Sequence, residues 1–238
     1  MVGEVLYQQF DIRLSKSALS RLLKILGFSP QRPLYRAWQQ DEVLVQKWQT
    51  EAFPAIRAEA KAVGATIYFG DEAGMRSDHH SGTTWAPVGE TPVVQATGRR
   101  FSVNMLSAVS AKGEFRFMLH DGTVDAQVFI EFLKRLMVGA KNPVYLIVDG
   151  HPIHKAKAVR TFVEEQNGML KLFYLPPYSP QLNPDEQVWK NVKTRVAKQV
   201  PQNKEELKKM LLGALRRLQK LPAIIQGFFR HPHCQYAM

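Results

Sequence analysis

Two apolar runs of β-forming residues each break off on an aspartate: Ala65–Gly70 leads into Asp71, and Val144–Val148 leads into Asp149. The second run, Val-Tyr-Leu-Ile-Val, shows no polar alternation, which is the pattern of a strand covered on both faces. A chain containing such a strand must supply helices to both sides of its sheet. In α/β sheets the C-terminal strand edge is where sites are usually built, so two neighbouring parallel strands here would bring Asp71 and Asp149 together.

The rest of the chain supplies those parts. Phe101–Val109 and Glu114–Leu119 read as strands around the turn Ser110–Gly113, an antiparallel start, and Gly82–Pro92 has hairpin character. Asp125 is placed to cap a helix carrying Val128, Phe129, Phe132, Leu133, Leu136 and Met137 on one face. A helix over about 154–166 and a strand over Lys171–Leu175 follow. Strands first, then strand-helix-strand alternation, predict an α/β fold with a mixed sheet flanked by helices. Upstream, a helix over about Gln39–Val63 should kink or break at Pro54. Ser29–Pro33, with two prolines, reads as a linker.

A third carboxylate stands in Leu175-Pro-Pro-Tyr-Ser-Pro-Gln-Leu-Asn-Pro-Asp-Glu-Gln-Val-Trp189. Asn183 as N-cap, Pro184 at the first helical position and Glu186 three residues past the cap would make a capping box. That reading needs no chemistry. It is compatible with another, in which the helix start holds Glu186 toward the sheet edge as the third acid of a site for Mg²⁺ or Mn²⁺, since hard oxygen ligands suit either ion. Behind it Val188, Trp189, Val192 and Val196 form a packing stripe, and Lys190, Lys193, Arg195 and Lys198 a basic face suited to a phosphate backbone.

Three stretches then carry a resemblance: Tyr68-Phe-Gly-Asp-Glu-Ala-Gly74, Leu146-Ile-Val-Asp-Gly-His-Pro-Ile-His154 and the Leu175–Trp189 segment, with 37 positions from Asp149 to Glu186. Together they resemble the catalytic domain of bacterial insertion-sequence transposases of the Tc/mariner superfamily. The resemblance runs from about Thr66 to Lys193 and implies a ribonuclease H-like (retroviral-integrase) fold with a five-stranded mixed sheet. It further implies two divalent metal ions held by the catalytic residues Asp71, Asp149 and Glu186, DNA cleavage followed by strand transfer into TA targets, and a homodimer that joins two element ends. Asp185 falls at the family's variable position and is not a ligand on this reading. The second motif commonly reads Asp-Asn in the family, whereas this chain has Asp149-Gly150, so any hydrogen bond from that amide is missing. His154 and His151 are expected to support the site or its turn rather than bind zinc, because no cysteine accompanies them. Glu72, on the opposite strand face, is expected to be structural.

Charge agrees with a polyanionic partner: 32 Lys and Arg stand against 21 Asp and Glu, a formal +11. Double-stranded DNA, as element end and target, is the expected partner. No apolar run approaches membrane-spanning length and no signal peptide is evident, so a cytoplasmic, nucleoid-associated protein is expected. The N-terminal thirty residues suggest helix, turn, helix, with Ser15 as cap, Leu19, Leu22, Leu23 and Leu26 on one face and Gly27 as the stop. Lys16, Ser17, Ser20 and Arg21 on the other face are the candidate DNA contacts. Such a unit normally needs a further helix, so the expectation is the end of a fuller DNA-binding domain, with an ordinary helical hairpin as the alternative. The expected organisation is a partial helix-turn-helix over 1–30, a linker and helix over 31–63, the catalytic domain over 64–200 and a helical tail over 201–238. Two other readings stay open: a ribonuclease H-like nuclease that cuts without joining, and a DNA-binding remnant or repressor. Asp78, His79 and His80 are read as solvated turn residues, Trp85 and Trp189 as buried aromatics rather than base platforms, and His231, His233 and Cys234 as at most an adventitious metal cluster.

Overall fold

The structure, a computed structural model, describes residues 2–31, 38–78, 87–91, 93 and 99–238. His79, His80, Trp85 and most of the expected hairpin at 82–92 lie outside the described residues. The chain forms two units, Met1–Trp38 and Gln39–Met238.

In the first unit α1 spans Val2–Phe10 and α2 spans Lys16–Ile25. Ser15 caps α2 as expected, its Oγ accepting from the Ala18 N–H at 3.2 Å. Gly27 adopts φ 84°, the left-handed conformation that lets the Phe28 N–H turn back to the Leu23 carbonyl and end the helix. Neither helix has a buried residue.

The second unit opens with α3, Glu42–Lys47, which widens into a π-helical turn over Trp48–Ala52 before α4, Phe53–Val63. The widened turn lies where Pro54 would otherwise press on the carbonyl four residues back, so the expected break takes the form of a π-bulge. The sheet has the order β3-β2-β1-β4-β5, with β1 at Thr66–Arg76, β2 at Ser102–Ser110, β3 at Phe115–His120, β4 at Val144–Val148 and β5 at Leu170–Tyr174. Strands β1, β4 and β5 are parallel, and β2 and β3 pair antiparallel on the other side of β1. This is the predicted mixed five-stranded sheet.

Both faces are covered. On one face α5, Ala126–Met137, capped by Asp125, and α6, Lys157–Glu165, bury Phe129, Phe132, Leu133 and Val159 against Tyr68, Leu146 and Val148. On the other, α4 packs together with α7, Asp185–Val196, α8, Lys204–Gln219, and α9, Pro222–Phe229, over Phe69, Tyr145 and Ile147. Leu207, Leu211, Leu215, Ile225 and Phe229 belong to that second core, so the C-terminal helices form part of a sheet-covering layer. The expected helix over 154–166 is shorter, because Pro152–Lys155 forms a separate 3-10 turn before α6. Among the described residues no helix is long and apolar enough to cross a membrane.

Candidate active site

Strand β1 does not stop at Asp71, as its sequence suggests; it runs five residues further, to Arg76. Its parallel pairing with β4 ends at Phe69, opposite Ile147, while its antiparallel pairing with β2 continues through Asp71, opposite Ser107, to Arg76, opposite Ser102. Asp71 therefore sits just where β4 leaves β1. Asp149 directly follows β4, and the two acids face one opening in the sheet edge. Alternation places Phe69 and Asp71 on the face covered by α7, and Tyr68 and Glu72 on the opposite face.

The third acid arrives on α7. The Asn183 side chain holds the helix start twice, its Oδ1 accepting from the Asp185 N–H at 3.0 Å and its Nδ2 donating to the Gly70 carbonyl at 3.0 Å. The capping function expected of Asn183 is thus present, but the box is not closed: the Asn183 N–H donates to the Pro180 carbonyl at 2.9 Å, and Glu186 lines the same cavity as Asp71. Asp71, Asp149 and Glu186 line one cavity of about 610 Å³, together with Gly150, His151, Lys155 and the Leu175–Pro180 loop. Within that loop Tyr178 holds φ 54°, an uncommon conformation for a residue with a side chain.

The electrostatics separate the three acids. Burial, followed by the charge of Glu186, raises Asp71 to about 8. Burial also raises Glu186, with Lys193 acting against it. Asp149 is held below the usual carboxylate range, chiefly by a hydrogen bond from His154. His154 is buried, with Nδ1 2.9 Å from Asp149 Oδ1 and Nε2 3.0 Å from Glu72 Oε1. Burial disfavours charge on its ring, but the bonds to the two carboxylates outweigh it and raise His154 to about 9. The expectation for His154 takes a specific geometry: one imidazole bridges Asp149, just after β4, and Glu72, on β1.

A second buried link went unread in the sequence. Asp185 is fully buried, and its Oδ2 accepts from Ser107 Oγ at 2.6 Å. Its Oδ1 has no hydrogen-bond partner among the described residues, and burial, then the charge of Asp71, raises its carboxyl well above the ordinary range. The signal was a serine inside the apolar strand β2, directly opposite Asp71. Together the Asn183–Gly70 and Asp185–Ser107 bonds pin the start of α7 to the strands beneath it. Ser107→Ala is expected to remove the side-chain donor to the buried Asp185 carboxyl and to lower stability by about 1–3 kcal/mol, read as the shift of a urea unfolding midpoint.

The donor chemistry suits a hard divalent ion: three carboxylates with no Lys or Arg ion-paired to them among the described residues. As the side chains stand, no group of three His, Cys, Asp or Glu among the described residues is placed to hold an ion. The charges of Asp71 and Glu186 repel each other, and a cation held by both would relieve that repulsion. Cys234 is buried and free, its thiol pushed up to about 12 by burial.

The remaining expected contacts lie on α2 and α7. Lys16, Ser17, Ser20 and Arg21 are exposed on the first turns of α2. On α7, Lys190 is exposed and Lys193 half-buried, opposite the buried stripe of Val188, Trp189, Val192 and Val196. Trp189 is in the core, as anticipated.

Comparison with known proteins bears on this geometry. The family model described as DDE superfamily endonuclease matches residues 66–208, and that described as winged helix-turn-helix matches residues 1–52. The insertion element IS630 uncharacterized 39 kDa protein of Shigella sonnei is 25% identical over 125 residues, which is 52% of this chain and 36% of that protein. The chain thus matches little more than a third of that curated relative. Among solved structures, a pre-cleavage Mos1 transpososome superposes with a TM-score of 0.68 at 17% identity, over 100% of this chain and 75% of that one. The Mos1 mariner paired-end complex with Mn gives 0.66 at 16% identity, over 99% and 78%. At such identities the likeness is one of fold, and the fold is the ribonuclease H-like one expected from the sequence.

Proposed function

This chain belongs to the DDE superfamily of endonucleases, and on that premise we propose that it is the DNA-cutting and DNA-joining part of an insertion-sequence transposase. The convergence of Asp71, Asp149 and Glu186 on one cavity carries the proposal. In the reaction, water displaces the 3′ oxygen of a phosphodiester at an element end. The freed 3′-hydroxyl then attacks a target phosphodiester, TA being the target the family resemblance implies. Each step exchanges one P–O bond for another, so positioning and charge stabilisation suffice without a covalent enzyme intermediate.

The three carboxylates would hold the Mg²⁺ or Mn²⁺, two ions on the family's pattern, and a bound ion stabilises charge developing on phosphate oxygens. The chain's own residues set the geometry. His154 orients Asp149 from behind, and Asn183 and Asp185 orient Glu186 through the start of α7. His154→Ala is expected to reduce cutting by about 10–100-fold, as loss of a group supporting metal ligands commonly does. His154→Gln, which can bond one carboxylate, should lie between. Both are checked by nicking rates beside the circular dichroism of each variant.

Double-stranded DNA is the proposed partner, contacted by Lys16, Ser17, Ser20 and Arg21 from the helix-turn-helix part and by Lys190 and Lys193 from α7. Titration of a duplex oligonucleotide under increasing salt tests this. We assign 1–30 to DNA recognition, 31–63 to the connection, 64–200 to catalysis and 201–238 to the helical tail. A homodimer, needed to join two ends, and a location on the nucleoid in the cytoplasm complete the proposal. The deciding assay is nicking of supercoiled plasmid in Mg²⁺ or Mn²⁺, followed by a search for joined product. Robust cutting without joining would instead identify a nuclease.

A further inference from the structure

A carboxylate cavity that takes a phosphodiester needs a cation for the phosphate oxygens that the acids themselves repel. Among the described residues lining this cavity, Lys155 is the one Lys or Arg. It stands at the end of the Pro152–Lys155 turn, immediately after His154. Its ammonium lies 5.1 Å from the centre of the Tyr174 ring, and Tyr174 in turn donates its hydroxyl to the His154 carbonyl at 3.2 Å. Among the described residues it makes no ion pair, although acids share its cavity.

The seat it occupies is open because of Gly150. A Cβ at position 150 would come to 3.3 Å from Lys155 Nζ, a tight contact that the end of the lysine side chain would have to shift to relieve. The Gly150 backbone lies outside the left-handed region, so its conformation does not itself demand glycine. What the missing side chain provides is space. The aromatic ring and the bare backbone thus hold a cation, without an ion-pair partner among the described residues, in the cavity that Asp149 lines.

Resting on the proposed DNA-cutting function, we propose that Lys155 is the residue that grips a DNA phosphate within the carboxylate cavity, and that Gly150 is the opening that lets it reach there. The ammonium is a compact donor with three N–H groups, suited to phosphate oxygens as a point charge. Its removal should weaken DNA binding without unfolding an otherwise undisturbed surface.

The test is binding of a short duplex oligonucleotide to the full chain in Ca²⁺ over a series of salt concentrations, for the wild type, Lys155→Ala, Lys155→Arg, Gly150→Asn and the Lys155→Ala/Gly150→Asn double variant. Loss of one phosphate contact should make the slope of log K against log salt shallower by about 1. Lys155→Arg should keep the slope. Gly150→Asn should reproduce much of the loss, and the double variant should be no worse than Lys155→Ala, because both changes act through one seat. An unchanged slope in Lys155→Ala would overturn the proposal, as would a double variant whose loss is the sum of the two single losses. Plasmid nicking by the wild type and Asp149→Asn, run alongside, separates the two readings. If the wild type does not cut, the proposed function fails, while the binding slopes still decide the role of Lys155.

Discussion

Asp149→Asn and Glu186→Gln are each expected to nick supercoiled plasmid at least about a thousandfold more slowly than the wild type, a loss of about 4 kcal/mol of transition-state stabilisation. Both changes keep the side-chain shape and remove the charge. The amide of Asp149→Asn could still meet His154, and that of Glu186→Gln could still sit at the start of α7, so the loss would report on oxygen-ligand charge rather than on folding. Chelator should silence the wild type to the same level. Equal cutting by all three proteins would point to a contaminating nuclease and remove the support for these carboxylates. Intact DNA binding with no cutting, by contrast, would shift the assignment to a DNA-binding remnant.

Phe69→Ala is expected to lower the stability of the catalytic unit by about 3–5 kcal/mol, the usual cost of emptying a buried aromatic site. The Phe69 ring is almost wholly buried and touches the rings of Phe53, Phe229 and Tyr236, which come from α4, α9 and the C-terminal turn. Its loss therefore unpacks three separate elements at once. The measurement is the urea midpoint at constant slope, since a midpoint that moves while the slope holds reports stability alone. A midpoint within experimental error of the wild type would mean that the C-terminal helices do not carry this face of the sheet. Phe69 also lies two residues before Asp71 on the same strand face, so residual folded protein should cut poorly.

Much of this architecture is legible in the residues themselves. Val144–Val148 is the strand its pattern indicates, because five consecutive apolar β-formers have no polar face to turn to water. Asp125 and Ser15 cap the helices they precede, since a short oxygen-bearing side chain satisfies amide donors that the helix leaves free. The outer half of β1 is not legible. Glu72, Ala73 and Gly74 are poor strand formers, and only the ladder to β2, from Leu106 to Asn104, keeps them extended.

The sequence by itself supplied what the proposed chemistry rests on: three acids, their order and spacing, and a basic chain suited to a polyanion. These are properties of residue type and chain distance, and they survive in any reading of the letters. The tertiary structure alone decided which partners complete them. Glu72 with His154, Ser107 with Asp185, and Lys155 in the space at Gly150 owe their meaning to distances closed across the sheet edge. Glu72 and His154 are 82 positions apart and Ser107 and Asp185 are 78, yet each pair is joined by one hydrogen bond. A single side chain carries no local signal of such a bond, because the partner is chosen by how strands and helices pack and not by the sequence on either side.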